Sequence, residues 1–334
     1  MSIQVLWPHH RADRDNSVEL EAIGDGVTAV FGGGMRNVTD EQWAACDGIV
    51  GTQPPKDCID KLKKCRIFVK TAVGYDDVDI DDWSSRGIPV CNVPDYGTRE
   101  VADHAIALMM TLTKSIAFHD ESLRADPIRN WRPALNPYGR RMSDCTFGVI
   151  GLGRIGTATA RRAKAFDMDV TFFDPYQPNG VELALGIRRS DSLEDLVSES
   201  DVISVHTPLN EETKNLLDAR LFDLAKKGCI VINTARGPII DIDALYEAMK
   251  NGTVLAAGLD VLPEEPAKLD RPLIRAWLGD DDGLKHRLVL TPHSAFFTPE
   301  SIRDIRAFAA RTAARFLRDG RLENCVNSSQ LNLS

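Results

Sequence analysis

Short apolar runs alternate with helically spaced apolar positions from the first residues onward. In residues 1–97 the runs that predict strands are 3–7, 27–31, 48–50, 67–70 and 89–92. Between them, apolar residues recur at helical spacing in 19–23, 40–45 and 59–62. Strands that alternate with helices in this way are typical of parallel sheets covered by helices. This part of the chain is therefore predicted to form a small doubly wound α/β unit.

The next stretch, from Thr98 to about Leu123, predicts one long helix with Thr98 as its N-cap. Its run 105–112 is apolar on nearly all sides, which predicts a helix buried between domains or against a partner subunit. Residues 125–145, which contain Trp131, predict an irregular arm. A connection of that length is usually functional or packed on another part of the molecule.

Beyond residue 146 the alternation of strands and helices resumes. Strands are predicted near 146–150, 169–173, 202–206, 229–233, 254–258 and 288–290, and a long helix from Pro299 to about Arg318. In a doubly wound layout that last helix can return to the first sheet. We therefore predict an α/β fold with two doubly wound parallel-sheet domains. A Rossmann domain, residues 98–297, is inserted into a flavodoxin-like substrate domain formed by residues 1–97 and 298–334.

The strand predicted at 146–150 leads into the spacing G-x-G-x-x-G. Gly151 allows a tight turn, Gly153 lets a pyrophosphate approach the backbone, and Gly156 lets the following helix pack close to the strand. The start of that helix, at Arg154 and Ile155, offers free N–H groups to phosphates. A strand before the motif and a helix after it give the context that a dinucleotide-binding turn requires.

An acidic residue ends the next predicted strand. Asp174 lies 23 residues after Gly151, close to the spacing of the acid that binds the ribose hydroxyls of a dinucleotide. A carboxylate at that place repels a 2′-phosphate, so NAD is predicted rather than NADP.

The composition is that of an ordinary globular protein. The 334 residues are 43% hydrophobic and 27% charged, and the length suggests about two domains. The net charge of −9, with no basic block, argues against a nucleic-acid surface. The N-terminus has no basic region before a long apolar run, and no stretch approaches the roughly 18 apolar residues of a spanning helix. We therefore predict a cytoplasmic protein without membrane contact.

The cysteine and histidine patterns point to no further chemistry. The seven cysteines include no C-x-x-C pair and are expected to be reduced thiols that mostly pack in the interior. His9 and His10 are adjacent but have no clustered partner ligands, so no metal site is predicted.

Three polar residues follow predicted strands of the second domain, at the edge where doubly wound sheets place their ligands. They are Arg236, Glu265 and His293. An arginine can hold a carboxylate with two parallel hydrogen bonds. A histidine can transfer a proton near neutral pH, and a neighbouring carboxylate favours its protonated form. The three suit reduction of a 2-oxo acid, in which Arg236 anchors the carboxylate, His293 protonates the carbonyl oxygen and Glu265 orients His293.

At this point the chain resembles a known family, the D-isomer-specific 2-hydroxyacid dehydrogenases, over almost its whole length. The motifs that carry the resemblance are VGYDDVD (73–79), the glycine turn (151–156), DVISVHTPL (201–209), NTARG (233–237), GLDVLPEEP (258–266) and TPH (291–293). The resemblance implies that Arg236, Glu265 and His293 form the catalytic set. Glu265 matches the family's catalytic position because it directly precedes Pro266, which Glu264 does not.

The resemblance also implies which residues bind the cofactor and the substrate. Besides the glycine turn and Asp174, the implied cofactor residues are His206, Thr207, Pro208, Thr213, Thr234, Ala235, Arg236, Asp260 and His293. The implied substrate residues are Val73, Gly74, Arg236, His293 and Phe296. Asp260 would lie near the nicotinamide amide, and the N–H groups of Val73 and Gly74 would bind the substrate carboxylate. The resemblance further implies NAD as the cofactor, a 2-hydroxy or 2-oxo acid as the substrate and a homodimer formed through the nucleotide domains.

Within the family, the nearest resemblance is to the C-terminal-binding-protein branch. It rests on FDPY (173–176), LNE (209–211), HSAFF (293–297) and ENCVN (323–327). The chain departs from that branch at Phe296 and Phe297, where Trp and Tyr are usual, and Ser294 replaces the glycine common in other branches.

The predicted function is that of an NAD-dependent oxidoreductase that transfers a hydride between nicotinamide and C2 of a 2-hydroxy or 2-oxo acid. The alternative is an NAD(H)-gated binding scaffold that resembles a transcriptional corepressor. A formate-type dehydrogenase is disfavoured because that branch has Gln where this chain has Glu265.

Overall fold

The structure is a computed structural model that describes residues 2–132, 139–279 and 283–332. The contacts divide the chain into two compact units, one made of Met1–Gly97 with Phe297–Ser334 and the other of Thr98–Phe296. Phe297 thus groups with the first unit, one residue away from the predicted boundary. Part of the predicted arm, residues 133–138, lies outside the described residues.

The first unit contains a five-stranded parallel sheet. Its strands are β1 (Ile3–Trp7), β2 (Val27–Phe31), β3 (Gly48–Gly51), β4 (Ile67–Lys70) and β5 (Val90–Cys91). They lie in the order β2-β1-β3-β4-β5, which is the flavodoxin-like order. The helices that connect them are α1 (Ser17–Ile23), α2 (Asp40–Ala45), α3 (Lys56–Ile59) and α4 (Ile80–Ser85).

One predicted helix of this unit was placed too late in the chain. Apolar spacing suggested 59–62, but α3 starts at Lys56, directly after Pro55. Proline has its φ fixed near the helical value and needs no N–H partner, so it favours the start of a helix. Leu62 packs against the same core from a position after the helix has ended.

The second unit contains a seven-stranded parallel sheet. Its strands are β6 (Thr146–Ile150), β7 (Asp169–Phe173), β8 (Arg188–Arg189), β9 (Val202–Val205), β10 (Cys229–Asn233), β11 (Val254–Leu259) and β12 (Leu288–Leu290). Its helices are α5 (Thr98–Thr113), α6 (Ile116–Ala125), α7 (Arg154–Ala165), α8 (Val181–Leu185), α9 (Leu193–Glu199), α10 (Ala219–Leu224), α11 (Ile242–Lys250) and α12 (Pro272–Gly279).

The strand order β12-β11-β10-β9-β6-β7-β8 reverses direction between β6 and β9. Such a reversal is the topological switch point at which doubly wound sheets bind ligands. Both faces of the sheet are covered, as its continuous apolar strands require. Ile230 and Ile232 pack into the core on one face, and Val231 packs into the core on the other. The predicted fold class, with two parallel-sheet α/β domains, is confirmed.

The predicted single helix from Thr98 to about Leu123 is wrong. The chain leaves helical geometry at Ser115, whose φ is +52°, so that α5 and α6 are separate helices bent by 53°. The apolar run 105–112 packs within its own unit, where α5 contacts α7, β10 and β11. Most of this run is therefore buried by elements of its own unit.

The last helix, α13 (Pro299–Asp319), belongs to the first unit. A capping box between Thr298 and Ser301 starts it, and Gly320 in the left-handed region ends it. It packs on α1, β1, β3 and β4. Arg306 of this helix forms an ion pair with the buried Glu19 of α1 at 2.6 Å, which ties the end of the chain to its beginning.

Among the described residues, no single helix is both long and apolar enough to cross a membrane, and only the bent pair α5 and α6 meets that criterion jointly.

Candidate active site

The glycine turn lies at the switch point between β6 and β9. Gly151 has a φ of +88°, a region that favours glycine. A Cβ on Gly151 would lie 2.9 Å from the backbone nitrogen of Thr207, and the N–H of His206 donates to the carbonyl of Ile150 at 2.8 Å. The predicted cofactor residues after β9 therefore lie directly against the predicted phosphate turn.

The other two glycines of the turn have opposite surroundings. A Cβ on Gly156 would come within 2.0 Å of the carbonyl oxygen of Gly151, so any side chain there would separate α7 from the turn. A Cβ on Gly153 would meet nothing within 4 Å. Open space above a helix N-terminus is what a pyrophosphate needs in order to reach the backbone N–H groups.

Asp174 directly follows β7, as predicted. One carboxylate oxygen accepts the N–H of Leu152, inside the glycine turn, at 2.8 Å. The other accepts the N–H of Tyr176 at 2.9 Å. The carboxylate is thus fixed beside the turn, at the edge where a dinucleotide would present its ribose hydroxyls.

Two predicted cofactor residues have polar groups in unusual surroundings. The hydroxyl oxygen of Thr234 is buried and has no hydrogen-bond partner among the described residues. Buried polar groups are normally hydrogen-bonded, so this hydroxyl is a candidate for binding a ligand. The His206 ring is hydrogen-bonded to Ser204 at 2.8 Å, and burial lowers the pKa of His206 to about 3. His206 is therefore neutral at physiological pH and adds no positive charge beside the turn.

The remaining predicted residues of this edge are placed by a short turn. Thr207 and Pro208 follow β9, and the Thr213 hydroxyl donates to the carbonyl of Pro208 at 2.6 Å while it accepts the N–H of Asn210 at 2.8 Å. Thr213 therefore shapes the loop that carries Thr207 and Pro208. Together with the glycine turn, Asp174 and Thr234, these features fit a bound dinucleotide.

Hydrogen bonds with Asn233, the last residue of β10, fix the turn that carries Arg236. Asn233, at the end of β10 and 1% exposed, accepts the N–H of Ala235 and donates to the carbonyl of Arg236, both at 2.9 Å. A Cβ on Gly237 would come within 1.9 Å of the carbonyl carbon of Leu262. The Arg236 turn thus packs directly against the loop that carries Glu265.

Glu265 and His293 form a hydrogen-bonded pair. Nδ1 of His293 lies 2.7 Å from Oε2 of Glu265, and Oε1 of Glu265 accepts the N–H of Leu262 at 3.0 Å. The Phe296 ring stands edge-on to the imidazole, with the ring centroids 6.3 Å apart. The neighbouring acid Glu264 instead faces Arg271, at 2.5 Å.

Asp260 organises the loop that carries His293. Its carboxylate is 2% exposed. It accepts the hydroxyl of Thr291 at 2.6 Å and the N–H groups of Ser294 and Ala295 at 2.9 Å each. The N–H of His293 in turn donates to the carbonyl of Asp260 at 2.8 Å. The prediction placed Asp260 near the cofactor, and its role in positioning the loop was missed, because these partners lie more than 30 residues away along the chain.

Asn233 and His104 are two further residues that sequence reasoning did not single out. Asn233 lies within the NTARG motif, which was the only signal for it. The ring Nε2 of His104, on α5, lies 2.9 Å from the Thr291 hydroxyl and 3.7 Å from Asp260. His104 therefore belongs to the hydrogen-bond network behind the His293 loop.

Val73 and Gly74 lie in the other unit, after β4. The Asn92 side chain, 9% exposed, donates to the carbonyl of Val73 at 2.7 Å. The N–H of Val93 donates to the carbonyl of Ala72 at 3.0 Å. This loop is therefore tied to the segment after β5.

No group of three or more metal-ligand side chains occurs in residues 2–132, 139–279 and 283–332.

Comparison with known proteins gives the family. Residues 106–295 match the model of the D-isomer specific 2-hydroxyacid dehydrogenase, NAD binding domain. The chain is 35% identical over 278 residues to a D-3-phosphoglycerate dehydrogenase of Methanocaldococcus jannaschii. This alignment covers 83% of this chain but only 50% of the length of that relative. It is 34% identical over 303 residues to a glyoxylate reductase of Korarchaeum cryptofilum, which covers 87% of this chain and 86% of the relative.

Solved structures with the same fold superpose on nearly the whole chain. A D-lactate dehydrogenase from Aquifex aeolicus, complexed with NAD and lactic acid, superposes with a TM-score of 0.76 at 26% identity and covers 98% of this chain and 97% of its own. An NADPH-dependent glyoxylate/hydroxypyruvate reductase from Sinorhizobium meliloti, in complex with NADP and malonate, has a TM-score of 0.82 at 26% identity over 99% and 98% of the two chains. The predicted enzyme class and the NAD-binding domain are confirmed, and the chain belongs to the D-isomer-specific 2-hydroxyacid dehydrogenase family.

Proposed function

We propose that this protein reduces a small 2-oxo acid to the 2-hydroxy acid with NADH, or catalyses the reverse. The observation that carries the proposal is the 2.7 Å contact between Glu265 and His293, next to a turn that presents Arg236. Acid–base, orienting and anion-binding groups thus follow three adjacent strands, β10, β11 and β12. A D-lactate dehydrogenase and a glyoxylate reductase are among the relatives, which supports a small acid as the substrate.

The cofactor assignment rests on the turn after β6. Gly153 leaves room for a pyrophosphate, Gly151 and Gly156 keep the turn packed closely, and the first N–H groups of α7, at Arg154 and Ile155, would bind the phosphates. NAD supplies the hydride when it is bound. The Asp174 carboxylate repels a 2′-phosphate, so we propose NAD(H) rather than NADP(H). The buried hydroxyl of Thr234 is available to the same ligand.

His293 would act as the acid and base. With Nδ1 turned to Glu265, Nε2 is the atom that can reach a substrate oxygen. Reduction builds negative charge on the carbonyl oxygen, and a proton donor at that place stabilises it. Glu265 would hold the ring in one orientation and one tautomer.

Arg236 would bind the substrate carboxylate through its guanidinium. The family motif at 73–79 supports Val73 and Gly74 as further substrate residues. The Phe296 ring beside His293 would limit the size of the substrate side chain. We propose Asp260 as a positioning residue, because its carboxylate oxygens are already bonded to the His293 loop.

Three finer assignments also remain proposals. The sequence motifs at 173–176 and 323–327 support membership of the C-terminal-binding-protein branch. The exposed side chains of Ile128 and Trp131 support a homodimer. The ordinary globular composition, 43% hydrophobic and 27% charged, supports a cytoplasmic location.

The decisive test is NADH oxidation with 2-oxo acids of graded size, in the unmutated protein and in His293→Ala. At least one acid should be reduced, and His293→Ala should lower kcat by about 10²-fold or more while NADH binding, followed by fluorescence, is kept. Normal turnover by His293→Ala would refute the proton-transfer role. Tight NADH binding without turnover of any acid would favour a cofactor-gated scaffold.

A further inference from the structure

Two cysteines that are far apart in the sequence are direct neighbours across a strand pairing. Cys91, in β5, and Cys325, in the segment after α13, form an antiparallel bridge. The bonds that make this bridge are those of the residues on either side. The N–H of Val326 donates to the carbonyl of Val90 at 2.8 Å, and the N–H of Asn92 donates to the carbonyl of Asn324 at 3.1 Å.

This pattern makes Cys91 and Cys325 a non-hydrogen-bonded pair. In such pairs the Cα atoms lie about 4.5 Å apart and the side chains point to the same face. Disulfides join cysteines whose Cα atoms are about 4.4 to 6.8 Å apart. The pairing therefore places the two cysteines within the range that a disulfide spans.

The geometry points to a modification site: we propose that Cys91 and Cys325 form a reversible disulfide when the protein meets a hydroperoxide. The proposal concerns the thiol pair alone and holds whichever acid the enzyme reduces.

The two thiols differ in solvent exposure and in acidity, and both differences favour attack by Cys325. Cys91 is fully buried, and Cys325 is half-buried, so an oxidant meets Cys325 first. A hydrogen bond from the Cys91 thiol lowers the pKa of Cys325; backbone N–H groups add to this effect and burial opposes it. The Cys325 sulfur is therefore the one of the pair that reacts more readily as a thiolate, which is the nucleophile.

The reaction balances with one hydroperoxide per disulfide. The Cys325 thiolate attacks one peroxide oxygen, the O–O bond breaks, and the departing hydroxide or alkoxide takes a proton, leaving a sulfenic acid on Cys325. The Cys91 sulfur then attacks the Cys325 sulfur, the S–O bond breaks, and water leaves with the Cys91 proton. Two electrons pass from the two sulfurs to the peroxide, and an external dithiol reverses the step by thiol–disulfide exchange.

The chain contains a second thiol pair that serves as an internal control. Cys46 and Cys65 precede β3 and β4, which are paired in register, and the Cys65 sulfur hydrogen-bonds to the carbonyl of Ile67 at 3.4 Å. A hydrogen bond with Cys46, followed by burial, raises the pKa of Cys65 well above its usual value. Cys65 therefore offers little thiolate at neutral pH, and this pair should react more slowly.

The bond would fasten the end of the chain to β5. Asn327, 1% exposed, already anchors that end through the N–H of Val90 and the carbonyl of Ile88. The residue after Cys91 is Asn92, which holds the carbonyl of Val73. Oxidation would thus act one residue away from Asn92, whose side chain holds the loop that contains Val73 and Gly74.

The test treats the full-length reduced protein with increasing hydrogen peroxide at neutral pH and quenches it with an alkylating agent. Trypsin should then release a linked pair of peptides, 87–99 and 322–334, which separates on addition of a dithiol. The link should persist in Cys65→Ser and vanish in Cys325→Ser. Overoxidation of Cys325 without the link, or an equal rate of linkage between Cys46 and Cys65, would overturn the proposal.

A second measurement does not require the disulfide to form. The rate of Cys325 alkylation against pH should have its midpoint below that of an ordinary cysteine thiol, which is about 8.5. Cys91→Ala, which removes the hydrogen-bond donor, should raise that midpoint by about one pH unit or more, and Cys91→Ser, which keeps a donor, should raise it less. A midpoint unmoved by Cys91→Ala would contradict the coupling between the two thiols.

Discussion

Nδ1 of His293 lies 2.7 Å from one carboxylate oxygen of Glu265, and the other oxygen accepts the N–H of Leu262 at 3.0 Å. Both oxygens of Glu265 are therefore acceptors with a fixed donor. A group that accepts at both ends holds the imidazole in one orientation and with one nitrogen protonated. Replacing Glu265 by glutamine breaks this arrangement, because an amide has only one acceptor oxygen.

We expect Glu265→Gln to lower kcat by roughly tenfold or more, with a smaller effect on NADH binding. Either Leu262 or His293 loses its acceptor, and the charge beside the imidazole is gone. The matched control is Glu264→Gln, since Glu264 is paired with Arg271 and Lys268 instead. Steady-state kinetics with the best 2-oxo acid measure both variants. An equal loss of kcat in the two would mean that the effect is not specific to the pair with His293.

A second prediction concerns the choice of cofactor. Asp174→Asn keeps one acceptor for the N–H groups of Leu152 and Tyr176 but removes the charge that repels a 2′-phosphate. We expect the ratio of kcat/KM for NADH over NADPH to fall by about tenfold, an electrostatic change of about 1.4 kcal/mol. Asp169→Asn, at the far end of the same strand, should leave the ratio unchanged. A preference for NADPH in the unmutated protein would contradict the role given to Asp174.

A third prediction concerns assembly. Ile128 and Trp131 are 88% and 77% exposed, and large apolar side chains so placed close together mark a contact surface. We expect a dimeric mass in light scattering at micromolar concentration, and a shift toward monomer in Trp131→Glu. Leu183→Glu is the control, since Leu183 is 83% exposed but lies elsewhere in the chain, on α8. The prediction fails if the unmutated protein has the mass of a single chain.

The fourth prediction concerns stability in acid. Glu19 is fully buried; burial alone would raise its pKa, but hydrogen bonds from His10 and Arg306 outweigh it and lower the pKa of Glu19 to about 2. A carboxylate with a depressed folded pKa stabilises the protein above its unfolded pKa, and this contribution disappears as the pH falls toward 2. It amounts to about 3 kcal/mol at most. Unfolding free energy measured from pH 5 to pH 2 should fall less steeply in Glu19→Gln, and parallel curves would exclude this source.

The sequence predicted most strands closely because each is a short apolar run between turn residues. The strand from Ile67 to Lys70 is buried at every position, and a continuous run that is this short is typical of a strand covered on both faces. The break at Ser115 was missed because a single residue in the left-handed region leaves the apolar periodicity on both sides intact. The edge strand Arg188–Arg189 was missed because two arginines give no apolar signal.

The candidate site also contains residues that the sequence could predict and contacts that it could not. Arg236, Glu265 and His293 could be proposed from their places after strands and from their chemistry. Their supports could not, because they are contacts between residues distant in sequence. The bonds of Asp260 to Ser294 and Ala295, and the pairing of Cys91 with Cys325, became visible only when the strands were assembled into sheets.

The backbone of His293 has a φ of +51°, a left-handed conformation that costs a residue with a Cβ roughly 1–2 kcal/mol. Asp260 holds that conformation through the chain on both sides of the histidine. The free-energy cost of this left-handed conformation is consequently met once, during folding. It does not add to the activation barrier of each turnover. A loop that had to adopt this shape around every arriving substrate would add that free energy to the barrier and slow the enzyme by about 5- to 30-fold.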